Sequence, residues 1–225
     1  MRVARSLAIL VGLCFAICSV ASASSYGPTA PKGSNNGNAS HSGNLGIICV
    51  YCANQYFTGH TNAYTINYGW EVTDSFTVSK PNSLVDLAAI LSWNFPGDVL
   101  TSVDYAIGSS AFGNNLGSGA STYMEHYNFG YNSWGYDLQG DYFGMNRTVL
   151  NPGTYWLTLY NASVPNGDPI YWDQNSGPSL AFENVVGQIP SETFALGGTP
   201  EPSSLMLLGS GLLGLGGMIR RRFGK

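Results

Sequence analysis

Ser83-Leu84-Val85-Asp86-Leu87-Ala88-Ala89-Ile90-Leu91-Ser92-Trp93-Asn94-Phe95 alternates with a period of two. Val85, Leu87, Ala89, Leu91, Trp93 and Phe95 fall on one face, with Asp86, Ser92 and Asn94 on the other. Successive side chains of a strand point to opposite sides, so this is the pattern of a β-strand with one apolar face. Two further runs repeat it. Within residues 100–107, Val103, Tyr105 and Ile107 oppose Ser102 and Asp104; within 153–161, Tyr155, Leu157 and Leu159 oppose Trp156, Thr158 and Tyr160.

Working outward, from Leu45 the chain is punctuated by turn signals such as Pro81-Asn82, Pro96-Gly97, Asn151-Pro152-Gly153 and Asn166-Gly167. Between them lie short runs rich in Val, Ile, Thr, Tyr, Phe and Trp, which favour strands. A spacing of about 8 to 12 residues suits a sandwich. No amphipathic helix is legible between the two ends of the chain. The expected fold is all-β: a single antiparallel β-sandwich of jelly-roll type over residues 45–199. The preceding segment, 24–44, is rich in Ser, Asn, Gly and Pro and reads as a flexible leader.

The two ends differ from this middle. At the C-terminus, residues 200–225 read PEPSSLMLLGSGLLGLGGMIRRRFGK. Pro200-Glu201-Pro202 is a rigid polar tripeptide, residues 203–219 carry no charge, and Arg220, Arg221 and Arg222 close the segment. As a helix, 203–219 would span roughly 25 Å, near the lower limit for a hydrocarbon core of about 30 Å. The arginines would hold its far end on the cytoplasmic side. This tripartite order resembles the PEP-CTERM sorting signal of Gram-negative, exopolysaccharide-producing bacteria. The same kind of tail is also described as an ice-binding protein C-terminal domain, a description of the tail alone. The resemblance implies handling by exosortase at the inner membrane and delivery to the cell surface or extracellular matrix. A plain C-terminal anchor is the alternative. The segments Phe95-Pro96-Gly97-Asp98, Gly153-Thr154-Tyr155-Trp156-Leu157 and Tyr171-Trp172-Asp173-Gln174 also resemble ectodomains carried by other PEP-CTERM proteins, over roughly residues 64–196.

The N-terminus matches that destination. Arg2 and Arg5 precede an apolar run over 7–20, and Ala21-Ser22-Ala23 supplies the small-x-small pattern read by signal peptidase. Cleavage is expected after Ala23. Between residues 24 and 199 there remain three basic residues, Lys32, Lys80 and Arg147, against twelve acids, a net of −9. Such a balance argues against nucleic acid, and against anionic polysaccharide unless a divalent cation bridges the charges. The same segment holds all five tryptophans and all 14 tyrosines.

Cys49 and Cys52 are the thiols left once the signal peptide is removed. Their C-x-x-C spacing lies in a strand-like run rather than at a helix start, where a redox pair would be activated. In a straight strand residues three apart lie about 10 Å from each other, so a disulfide requires a local turn. A small structural loop, a redox-active pair and free or intermolecular thiols are the three readings. His41, His60 and His126 have no ligand-like spacing and read as solvent-exposed.

No nucleophile elbow, His-Glu-x-x-His or phosphate-binding loop is present. Glu71, Glu125 and Glu183 are the residue types a glycoside hydrolase would need, if paired at the right separation. Carbohydrate binding has more material: exposed rings stacked on sugar faces, with amides beside them. Residues 123–136 (YMEHYNFGYNSWGY) and 168–175 (DPIYWDQN) supply it, with Trp134, Tyr136, Tyr171 and Trp172 as the candidate platform. Calcium is the cofactor suggested by Asp98, Asp104, Asp168 and Asp173, which sit in or near turns, although no D-x-D-x-D-G loop exists. The expectation is therefore an exported, non-catalytic surface or matrix protein with a structural or adhesive role, with a carbohydrate-binding module as the alternative and a hydrolase behind it.

Overall fold

The computed structural model describes residues 43–44, 49–57, 60–122 and 124–198, and every helix or strand element among them is a β-strand. The predicted signal peptide with Ala21 and Ala23, His41, the Pro200-Glu201-Pro202 tripeptide, the transmembrane helix 203–219 and the arginine cluster lie outside the described residues. Among the described residues no helix is long and apolar enough to cross a membrane.

The strands are β1 (Gly43–Asn44), β2 (Cys49–Tyr51), β3 (Tyr56–Phe57), β4 (Ala63–Thr65), β5 (Val72–Val78), β6 (Ser83–Asn94), β7 (Ser102–Gly108) and β8 (Gly117–Ser121). They continue with β9 (Met124–Tyr131), β10 (Asp137–Leu150), β11 (Gly153–Ser163), β12 (Tyr171–Asp173), β13 (Ala181–Glu183), β14 (Gly187–Ile189) and β15 (Phe194–Gly197). All pairings are antiparallel. One sheet runs β2-β15-β6-β10-β9, with β12 joining β6 to β4; the other runs β14-β13-β5-β11-β7-β8. Gly43 and Asn44, which the sequence places in the flexible leader, instead pair with Phe57 and Tyr56.

β6 is the axis of the first sheet. One edge pairs with β10 from Asn94↔Asp137 to Ser83↔Leu150. The other is shared: β15 takes 87–90, and β12 takes Ser92 and Trp93. The ladder with β10 slips where Gly144 faces Leu87 and Thr148 faces Val85. Such an irregularity changes which face a side chain meets. Val85 lies in the inter-sheet core, and beyond the slip Ala88 and Ile90 do. Ala89, Leu91 and Trp93, placed by the sequence on the same face as Val85, turn outward instead. There they pack with Phe129, Leu138, Tyr142 and Ala195 into a second apolar layer on the outside of the sheet. β6 is apolar on both sides, so its alternation did not say which side the partner sheet covers. Gly140 on β10 makes room in that layer: a Cβ there would lie 2.6 Å from the Phe129 ring.

The inter-sheet core follows the other two alternating runs, with Val103, Tyr105 and Ile107 from β7 and Leu157 and Leu159 from β11. Trp172 belongs to it. The side chain is fully buried, its ring meets Phe194 edge-on at 5.7 Å, and its Nε1 donates to the Thr193 carbonyl at 2.8 Å. The sequence reading of Trp172 as a sugar platform is therefore corrected: β12 points Tyr171 outward and Trp172 inward. Cys49 and Cys52 are joined as a disulfide with Cα atoms 5.8 Å apart, so the chain bends between them as the bridge requires.

Trp172→Ala is expected to lower the free energy of unfolding by about 3–5 kcal/mol, measured by urea denaturation. An exposed tryptophan would change it by only about 0.5 kcal/mol.

Candidate functional site

The outer face of the β6 sheet carries a continuous aromatic surface assembled from three separate parts of the sequence. Trp134 and Tyr136 come from the β9–β10 hairpin, Trp93 from β6 and Tyr171 from β12. Trp134 lies over Trp93 with ring centroids 5.3 Å apart, and Trp93 is 6.0 Å from Tyr136. Tyr136 meets Phe95 edge-on at 5.1 Å and Tyr171 edge-on at 5.6 Å. Of these rings Trp134 is the most open, at 57% exposure, while Trp93 is nearly covered at 6%. Tyr136 and Tyr171 are half-buried.

The hairpin holds Trp134 in place through local chemistry. Asn132 Oδ1 accepts from the backbone N–H of both Trp134 and Tyr136 at 3.0 Å, an Asx-type turn. Gly135 supplies the left-handed backbone that closes the turn, with φ +85°. Beneath, Trp93 Nε1 donates to Asp173 Oδ1 at 2.6 Å. Asp173 is itself buried, bonded at Oδ2 by Thr193 Oγ1 at 2.9 Å and paired with His60 Nδ1 at 3.3 Å. The platform thus has a fixed base. Burial, then the neighbouring Tyr136, push the Tyr171 phenol up to about 12, so it stays a neutral hydroxyl near pH 7.

Three of the four sequence-predicted platform residues, Trp134, Tyr136 and Tyr171, are brought together; Trp172 is not. Trp93 was missed. Its place in an alternating strand made it look like inter-sheet core, and only the β6 register puts it under Trp134.

The titratable groups depart more from expectation. Seven of the twelve acids between residues 24 and 199 are buried: Asp74, Asp98, Asp137, Asp141, Asp173, Glu183 and Glu192. The described surface is therefore far less acidic than the −9 balance implies. His60, read as solvent-exposed, is buried against Asp173. His126 pairs with buried Asp141 at 2.6 Å, and that bond raises the imidazole pKa. Glu125 lies on β9 and Glu183 on β13, in different sheets. Glu183 accepts from the backbone N–H of Val185 and Val186, as a turn residue does. Of the calcium candidates, Asp104 is bonded by Asn161 Nδ2 at 2.8 Å and Asp173 braces Trp93, whereas Asp98 and Asp168 are neighbours. Among the described residues no group of three His, Cys, Asp or Glu side chains is arranged to hold a metal.

A second buried acidic group, unforeseen from sequence, joins the sheets near β15. Asp74 Oδ2 accepts from the Glu192 backbone N–H at 2.7 Å, Ser179 Oγ at 3.0 Å and Asn54 Nδ2 at 3.3 Å. Burial nevertheless pushes the Asp74 carboxyl up to about 7. Glu192 is raised too, first by burial and then by the charges of Asp74 and Asp173.

Comparison with known proteins bears on the tail. Residues 199–222 match the PEP-CTERM protein-sorting motif. The chain is thus a PEP-CTERM sorting domain-containing protein, and the motif indicates an exported, membrane-transiting protein sorted by exosortase. No curated protein and no solved structure matches the chain.

The raised Asp74 carboxyl sets a pH dependence. An acid whose folded pKa exceeds its unfolded value keeps its proton in the folded state while the unfolded chain loses it. Its contribution is full below about pH 4 and is lost as pH rises through about 7. Asp74→Asn retains an acceptor oxygen and should flatten that decline. The variant should melt higher than wild type at pH 8, with the difference vanishing near pH 4, as thermal unfolding across this range would reveal.

Proposed function

We propose that this protein is a non-catalytic, glycan-binding component of the cell surface or exopolysaccharide matrix of a Gram-negative bacterium. The observation that carries the reading is the Trp134–Trp93–Tyr136–Tyr171 surface: a rigid, partly exposed set of rings on the face of a β-sheet. Flat aromatic faces suit the apolar faces of pyranose rings, and Tyr hydroxyls and nearby amides suit their rims. Export by the exosortase route, indicated by the tail, takes such a face to where polysaccharide is found. Burial of seven of the twelve acids leaves fewer carboxylates at the surface to meet an acidic polymer.

We further read the sandwich as a jelly roll. The strand orders β4-β12-β6-β10 and β5-β11-β7-β8, with consecutive strands crossing between sheets, support this assignment. Signal peptidase removing residues 1–23 and a transient inner-membrane anchor at 203–219 complete the proposed route. A hydrolase has less support, because Glu125 and Glu183 sit in different sheets.

Full-length protein purified in non-ionic detergent should co-sediment saturably with the host's extracellular polysaccharide. Trp134→Ala should weaken retention about tenfold, equivalent to about 1.4 kcal/mol, while leaving the melting temperature unchanged because the ring is largely exposed. Equal retention of wild type and Trp134→Ala would reject this face as the glycan site.

A further inference from the structure

The inter-sheet space beneath the aromatic face ends in oxygen atoms with no hydrogen-bond partner. Asn94 and Asp137 are cross-strand partners on β6 and β10. Both lie on the inner side, since they alternate with the outward Trp93 and Leu138. Gln139 follows Asp137 by two residues on the same face. Asp98 sits in the turn after β6, where its N–H donates to the Phe95 carbonyl at 2.9 Å. All four side chains are more than nine-tenths buried: Asn94 at 0%, Asp98 at 1%, Gln139 at 3% and Asp137 at 4% exposure.

In each of the four, one polar atom is fixed by a hydrogen bond and one oxygen is left over. Asn94 Nδ2 donates to Ser92 Oγ at 3.0 Å, and Ser92 in turn donates to Asp141 Oδ2, so the amide cannot be reversed. Gln139 Nε2 donates to the Asp98 carbonyl at 2.6 Å, which only accepts, and this orients the second amide. Asp137 Oδ2 accepts from the Gly97 N–H at 3.0 Å, and Asp98 Oδ1 from Asn166 Nδ2 at 2.6 Å. The remaining atoms, Asn94 Oδ1, Asp98 Oδ2, Asp137 Oδ1 and Gln139 Oε1, are buried without a partner. These bonds tie the turn carrying Asp98 onto the strand pair carrying the other three. Asp168 lies beside Asp98.

Buried polar atoms without partners are rare in folded proteins and call for an explanation. Four of them are here acceptor-only oxygens in one linked cluster. Burying two carboxylates without a counter-charge would be costly. We infer that Asn94, Asp98, Asp137 and Gln139 form a binding site for one calcium ion between the two sheets. Hard oxygen donors of mixed carboxylate and amide type suit calcium, which takes six to eight oxygens in flexible geometry. Zinc would want nitrogen or sulfur, and magnesium a near-ideal octahedron with several waters. The two carboxylates balance the charge of one divalent ion. The inference does not rest on the glycan reading, although Asn94 and Asp137 stand back to back with Trp93 and Tyr136, so a bound ion would stiffen the strands that carry the platform.

The test uses full-length protein in detergent, stripped with chelator and then titrated with calcium or magnesium chloride. Calorimetry should give one calcium per chain, and a 100-fold excess over Kd should raise the melting temperature by about 5 °C or more. Magnesium should bind at least tenfold more weakly. Asp137→Asn should abolish the calcium response yet melt higher than wild type in chelator, because the uncompensated repulsion is relieved. Asp104→Asn should respond to calcium like wild type. Should Asp137→Asn fold poorly, Asn94→Asp is the second variant, expected to bind calcium tighter while melting lower in chelator. No calcium heat and no calcium-dependent melting shift in wild type would overturn the site. So would an undiminished response in Asp137→Asn, or an Asn94→Asp variant whose calcium affinity is unchanged.

Discussion

The ladder between β6 and β10 is the constraint on which the rest of the structure depends. These are the two longest strands of the domain, 12 and 14 residues, and each has a neighbour on its far edge. Their register decides which residues meet between the sheets and which lie on the outer surface. The slip between Gly144 and Thr148 is what lets Val85 and Ile90 face the same core while Leu91 and Trp93 face outward. Without that slip the aromatic layer would have no base, since Trp134 and Tyr136 both pack on Trp93.

That register also distributes charge. Outward Trp93 and Leu138 commit their neighbours Asn94, Asp137 and Gln139 to the inside, where water is excluded. The domain accepts this by bonding one atom of each polar group, as it also does at Asp74, whereas Asp141 and Asp173 have both oxygens bonded. Placing carboxylates inside leaves a surface on which rings rather than charges dominate around Trp134. The interior polar groups and the exterior aromatic face are therefore two sides of one pair of strands.

Much of this was legible. Alternation in β7 and β11 named their core residues because those strands are apolar on one side only. Residues 123–136 read as a source of exposed rings, and Trp134 is exposed on the hairpin there. Trp93 was assigned to the wrong side because β6 carries large apolar residues on both faces, and a period of two does not distinguish inside from outside; Trp172 was read as exposed from the polar residues around it in 168–175. His60 and the buried acids were misread because their partners lie far along the chain, Asp173 for His60 and Glu192 for Asp74.

By itself the sequence determined the strand-rich class, the turn positions and the address written in the tail, because each depends on residues adjacent in the chain. Backbone preference, side-chain alternation and a linear sorting motif are all local. Only the tertiary structure decided which aromatic rings share a surface and which polar groups are buried together. Those relations join residues 35 to 138 positions apart, and they follow from strand register, which no local stretch encodes.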